Sequence, residues 1–190
     1  MQLLAIVFFI FGSVFSGRVL SNERCLPSSI ATSEILKCIN RSYVAVDKLL
    51  NDRYKEVLGD ENFIYRKQLV DGQRLWVKFR DSRCKHIYYS VYPGEEAGIE
   101  RDSCVSSMTY FRFLELVYIE TGWGGGEIKR ISELAIMGDK GRMSSVYEAV
   151  MSASFGVEGD AYFRENCALA KILYEEDFDS CFFRMKVQNM

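Results

Sequence analysis

Six cysteines are the side chains of this chain best suited to making covalent bonds: Cys25, Cys38, Cys84, Cys104, Cys167 and Cys181. An even set in an exported chain points to disulfides. Six cysteines allow many pairings, and the sequence leaves the choice open. Pairing of neighbours, 25–38, 84–104 and 167–181, is the simplest. Each such bridge closes a loop of roughly 13–20 residues, worth about 3 kcal/mol in the chain-entropy treatment. Zinc is a poorer use of the same thiols, because no Cys-x-x-Cys occurs and the lone His86 lies two residues from Cys84.

Other chemistry is sparse. A base-activated nucleophile needs a histidine, a serine or cysteine, and an orienting carboxylate. His86 is the one histidine, and nothing around it completes such a set. Glu95 and Glu96 could supply carboxylates for glycoside hydrolysis, but adjacent in a loop they more simply face water. The residues predict a binding protein without a catalytic centre, metal or cofactor. A net charge of −2 leaves no basic footprint for nucleic acid. Residues 121–190 form the acidic part, with 11 acidic against 8 basic side chains.

The elements that must position these residues are helical. At 190 residues, 48% hydrophobic and 14% aromatic, the chain can build a core. Only two prolines interrupt it. Residues 1–16 carry no charge, and the apolar run from Leu3 to Phe15 is too short to span a bilayer. With Val14 and Ser16 before Gly17, it reads as a signal peptide, which leaves no membrane segment in the mature chain. Cys25 follows Asn22-Glu23-Arg24, which is not a lipobox.

Thr32 or Ser33 is expected to cap a helix over 34–58. Its apolar face holds Ile35, Ile39, Val46, Leu49, Leu50 and Val57. Tyr43, Asp47, Leu50 and Tyr54 follow a second stripe, which sets Asp47 at the edge of the core. A carboxylate there needs a partner, and Arg74 or Arg80 of the next helix is the expected one. Gly59 to Asn62 reads as a turn.

A second helix is expected from Phe63 to about Tyr89, with Gly72 permitting close packing. Within it Gln73, Val77, Arg80 and Cys84 fall at i, i+4, i+7 and i+11, with Trp76 beside them. Polar groups among apolar ones, ending in Cys, predict a crosslinked helix with a specific partner surface. Residues 90–100 read as a loop around Pro93-Gly94. A third helix is expected from about Ile99 to Ile119, with Val105, Met108, Phe111, Leu114 and Leu116 toward the core. The fold class is all-α: an antiparallel bundle stapled by disulfides.

Gly122 and Gly124–Gly126 mark 121–127 as a hinge after a domain over 17–120. It is no phosphate loop, because no Gly-Lys-Ser/Thr follows. A C-terminal helical unit over 128–190 is expected, with helices at 128–137, 143–154 and 162–173 and a last one through Cys181. It echoes the first part. Phe79-Arg80-Asp81 precedes Cys84 as Phe163-Arg164-Glu165 precedes Cys167, and Asp102-Ser103-Cys104 matches Asp179-Ser180-Cys181. The unit reads either as a degenerate repeat or as a chance echo in a helical, Cys-containing tail. Asn40-Arg41-Ser42 fits a glycosylation pattern but falls inside a helix, and is read as incidental.

Several of these residues stand in a known order. Glu34 and Cys38; Tyr43, Asp47, Leu50, Asn51 and Tyr54; Gln73, Arg74, Trp76, Phe79, Arg80, Asp81 and Cys84; then Cys104, Met108, Thr109 and Arg112 are spaced as in one family. The chain resembles the bacterial lysozyme inhibitor LprI-like family over about residues 25–118, and Cys25 fits the first cysteine of that family. The resemblance implies an exported helical domain held by two disulfides, periplasmic or secreted. It also implies, in at least one branch of the family, inhibition of lysozyme by protein contact. Tyr43, Asp47, Asn51, Tyr54, Gln73, Trp76 and Arg80 read as scaffold.

Many lysozymes are cationic, so an acidic surface would speed encounter. Residues 88–102 supply one, with Tyr88, Tyr89, Tyr92, Glu95 and Glu96 between Cys84 and Cys104. Trp123 is a second candidate anchor. The competing expectations are an immunity protein against a secreted lipase, amidase or muramidase, and an envelope assembly or adhesion module.

Overall fold

The computed structural model describes residues 27–123 and 143–190. The expected signal peptide, Cys25, residues 124–127 of the expected hinge and the helix expected over 128–137 lie outside the described residues. Among the described residues are six helices and no strand: α1 (Thr32–Gly59), α2 (Arg66–Val91), α3 (Ala97–Thr121), α4 (Met143–Ser152), α5 (Gly156–Tyr174) and α6 (Phe178–Gln188). The all-α, disulfide-stapled bundle expected from the sequence is the fold that forms.

The ends of the helices follow local chemistry that differs from expectation. Ala31 occupies the N-cap of α1 and offers no side-chain bond, so neither Thr32 nor Ser33 caps it. Ser28 Oγ instead donates to Glu34 in the first turn. After Gly59, Asp60 Oδ1 accepts from the Asn62 N–H at 2.9 Å, an Asx turn. Arg66, the first residue of α2, reaches back to the carbonyls of Leu58 (3.1 Å) and Asp60 (2.6 Å). A cation on those orphan carbonyls stabilises the end of α1. Phe63 and Tyr65 stay outside α2, meet each other edge to face and pack against the core, which is why that helix starts three residues later than predicted.

Helix α1 packs mainly on α3, and α2 on both α3 and α5. Arg53, near the end of α1, pairs with Glu120, near the end of α3, so these two run parallel with α2 antiparallel to both. On α2 the buried stripe is Leu69, Gly72, Trp76, Phe79 and Cys84. It is rotated from the stripe predicted through Gln73, Val77 and Arg80. Trp76 sits in the middle of the core at 2% exposure, while Val77 is at the surface. Leu49, placed on the α1 core face by its spacing, is exposed as well.

One apolar core runs across the molecule. It joins Leu50 and Val57 of α1, Trp76 and Phe79 of α2, Leu116 of α3, Phe163 and Leu169 of α5, and Met185 of α6. Phe79 meets Phe163 edge to face at 5.4 Å and stacks on Tyr162 at 6.0 Å. Gly159 allows that approach. A Cβ there would lie 2.9 Å from the Phe79 ring and 2.6 Å from Phe155 Cβ. Gly72, the glycine expected to permit close packing, has room for a Cβ, whose nearest neighbours would be Arg112 and Glu165 at 3.9 Å.

Cys84–Cys104 joins α2 to α3, and Cys167–Cys181 joins α5 to α6. Both are neighbour pairs. Cys38 is disulfide-bonded too, while Cys25, its expected partner, lies outside the described residues. Helix α4 packs on α6 through Tyr147 stacked on Phe183 at 5.3 Å. Lys186 of α6 donates its buried ammonium to the carbonyls of Met151 and Ala153 at the end of α4.

Candidate partner-binding site

The segment 88–102 is not the open loop that its prolyl-glycyl turn predicted. Helix α2 continues to Val91 and α3 begins at Ala97, so only Tyr92–Glu96 connect them. A cis peptide bond joins Tyr92 to Pro93. The result is a helical hairpin tip clamped by Cys84–Cys104. Its tyrosines form one group: Tyr88 stacks on Tyr92 at 5.7 Å, and Tyr89 meets the Tyr88 edge at 5.3 Å. Tyr89 and Tyr92 are about 60% exposed, and Glu95 and Glu96 are exposed beside them.

An open hollow of about 490 Å³ lies next to this group between α2 and α3. Cys84, Val105, Tyr88 and Tyr89 line it, with three charged side chains, Asp81, Lys85 and Arg101. Arg80 donates Nε and Nη2 to Asp81 Oδ1 at 2.9 and 2.8 Å, and Arg101 is held by Asp102 at 2.7 Å. Arg101 also lies over the Tyr88 ring at 6.0 Å. His86 is exposed near the end of α2, two residues after Cys84. No group of three His, Cys, Asp or Glu side chains that could hold a metal occurs among the described residues.

The residues expected to serve as scaffold stand as follows. Tyr43, Asp47, Tyr54 and Gln73 are half-buried, and Asn51 is exposed. Asp47 pairs with neither Arg74 nor Arg80. It accepts from Asn51 Nδ2 one turn along at 2.9 Å, because α1 faces α3 rather than α2. Arg74 pairs with Asp71, and Arg80 lies over the Trp76 ring at 4.9 Å while holding Asp81. The arginine of the spaced motif that enters the core is Arg112 of α3, 1% exposed, which donates Nε to Gln73 Oε1 at 2.8 Å.

Residues 25–116 match the family model of lysozyme inhibitor LprI. This is the family resemblance carried by the sequence. Neither a curated protein nor a solved structure matches the chain.

The LprI match takes in α1, α2, most of α3 and the whole Tyr-rich tip. Beyond it, α5 and α6 reach back into the LprI segment through buried polar groups that sequence reasoning did not assemble. Arg112 Nη1 donates to Asn166 Oδ1 at 2.8 Å and to Tyr162 at 3.2 Å. Asn166 donates to Glu115, and Arg184 bonds Glu115 and, through Nε and Nη2, both oxygens of Glu176. Two arginines face two carboxylates, so the cluster is balanced in charge. Burial works against the Arg184 charge, but Glu115 and Glu176 outweigh it and hold its pKa above the usual arginine range. Burial, then Glu176, pushes the Tyr118 hydroxyl up as well. Among the described residues, Trp76 Nε1 and Arg112 Nη2 are buried without a hydrogen-bond partner.

Trp123 stands outside this network. Its side chain is 74% exposed. Gly122, in the left-handed conformation at the end of α3, lets the chain turn there against the Tyr174 ring. Trp123 therefore follows the C-terminal end of α3, whereas the tip tyrosines flank its N-terminal end. Lys85 and Arg101 were missed at the tip, because their charge matters only once folding sets them beside Tyr88 and Tyr89.

Proposed function

We propose that this chain is an exported protein that inhibits a lysozyme, or another enzyme that degrades the cell wall, by binding it. The LprI match over residues 25–116 carries this reading. That family is named for inhibiting an enzyme rather than for a reaction of its own. The disulfides favour an oxidising compartment, hence a periplasmic or secreted location, and residues 1–16 serve as the leader. No helix among the described residues is long and apolar enough to cross a membrane.

The α2–α3 tip is the proposed contact surface. Exposed tyrosines supply apolar area at low entropic cost and often dominate interfaces. Cys84–Cys104 fixes the hairpin before association, which lowers the entropy lost on binding. Glu95 and Glu96 provide the negative charge that steers a cationic partner. Trp123 serves as a second anchor. Tyr43, Asp47, Asn51, Tyr54, Gln73, Trp76 and Arg80 hold the scaffold, and residues 128–190 form the added unit after the 121–127 hinge.

The test is turnover of bacterial cell walls by lysozymes of several types in the presence of the mature, oxidised chain. Turnover falls with dose for at least one type. Unaltered rates across all of them would overturn the reading.

A further inference from the structure

We propose that the hollow beside Cys84–Cys104 is a saccharide site, and that it takes a sugar bearing one carboxylate. The choice of a cell-wall amino sugar as the source rests on the wall-facing role proposed above. The geometry of the site does not.

The chemistry comes from what the lining leaves unengaged. Lys85 lies four residues after Asp81, the helical spacing at which an ion pair forms. Arg80 takes that carboxylate instead, through two bonds to Oδ1. Lys85 therefore makes no ion pair among the described residues, and its exposed ammonium remains at the hollow. Arg101 is engaged by Asp102. One unengaged cation matches one carboxylate better than a phosphate dianion, which calls for several donors.

The hollow also offers an acceptor. Asp81 Oδ2 receives no hydrogen bond among the described residues, and neither do the Tyr88 and Tyr89 hydroxyls make one. Donors and acceptors side by side suit a polyol more than a simple anion. Tyr88 is held between Tyr92 and Arg101, whereas Tyr89 is 61% exposed. Its negative ring face can cover the polarised C–H groups of a pyranose. The hollow, about 490 Å³, is open to solvent, so it would hold a ligand against its wall rather than enclose it. The Cys84–Cys104 bridge at its lining joins the two helices, so the site is preformed.

The experiment titrates the full mature, oxidised chain with two probes, followed by NMR and calorimetry. One is the N-acetylglucosamine–N-acetylmuramic acid disaccharide. The other is chitobiose, which has similar rings and no carboxylate. The acidic sugar binds saturably and about fivefold more tightly than chitobiose, the upper worth of one exposed charge pair. Lys85→Ala removes that preference and leaves chitobiose binding unchanged. Tyr89→Ala weakens both, and both variants keep the wild-type circular dichroism melt. No saturable binding, equal binding of the two sugars, or an unaltered preference in Lys85→Ala would each overturn the proposal. Lysozyme inhibition without sugar binding overturns this inference alone. Sugar binding without inhibition of any lysozyme overturns the inhibitor reading alone.

Discussion

Arg184 and Glu115 form an ion pair in which each side chain is 1% exposed. Glu115 lies in the LprI-matched segment and Arg184 in the last helix, so the pair ties the two parts of the chain together in the interior. Such a pair is costly to break from one side, because the partner is left charged without water. Arg184→Met strands both Glu115 and Glu176. It is expected to cost about 3–5 kcal/mol, a large share of the ~5–15 kcal/mol that holds a typical domain. Arg184→Lys recovers only part of this, because an ammonium cannot make the two-pronged bond to Glu176. Urea unfolding checks both. A loss below about 1 kcal/mol for Arg184→Met would show that the carboxylates find water or a proton without strain.

Two glycines on facing helices make opposite predictions. A methyl at Gly159 would meet the Phe79 ring and Phe155 at less than van der Waals separation. Gly159→Ala should destabilise by about 1–3 kcal/mol through overpacking. At Gly72 the same methyl finds ordinary contact distances, and alanine is the better helix former. Gly72→Ala should be neutral or stabilising by up to about 1 kcal/mol. Thermal midpoints of the two variants, measured side by side, decide this. Equal shifts would refute the assignment of the close approach to Gly159.

These residues also show what the sequence could disclose. Helix existence was legible because apolar spacing and the scarcity of proline act locally. The pairs Cys84–Cys104 and Cys167–Cys181 follow the simplest of the pairings the sequence left open, each closing a short helical hairpin. The rotation of α2 was not. Trp76 and Phe79 turn inward because α5 covers them, and that helix lies some eighty residues away in the chain. The partner of Asp47 was misread for the same reason: α1 packs on α3, not on the helix that follows it. Arg112 stood in the recognised motif, yet its partners Asn166 and Tyr162 lie outside it. At the tip, tyrosines and glutamates were visible by type, whereas the unengaged state of Lys85 depends on which carboxylate Arg80 takes.

The N-cap of α6 gives a pH-dependent prediction. Asp177 accepts from the Ser180 N–H at 3.0 Å, and that backbone bond, more than any other cause, holds its carboxyl below the usual value. The folded pKa is thus lower than the unfolded one. The cap therefore contributes stability above the unfolded value of about 4, and loses it as pH falls through the folded value. Asp177→Ala should cost about 1 kcal/mol near neutral pH. The gap to wild type should narrow as pH falls below the unfolded value and close only once pH is under the folded one. Urea midpoints near neutral pH and in acid test the sign. A gap that persists in acid would mean that the side chain acts without its charge.

Charge at the tip should govern the rate of encounter more than the lifetime of the complex. Glu95 and Glu96 are exposed at the turn, make no ion pair among the described residues, and lie beside the exposed rings of Tyr89 and Tyr92. Screened rim charges of this kind act at a distance, before contact, and rim substitutions change association more than dissociation. Reversing both, Glu95→Lys with Glu96→Lys, should slow association with a cationic lysozyme several-fold at low salt and leave dissociation nearly unaltered. The difference should shrink as the Debye length falls to about 8 Å at physiological ionic strength. Tyr92→Ala should do the reverse, speeding dissociation with little effect on encounter, because an anchoring ring acts only after contact. Surface-binding kinetics at two salt concentrations separate the two effects. An unchanged association rate for the reversed tip at low salt would place the contact surface elsewhere on the molecule.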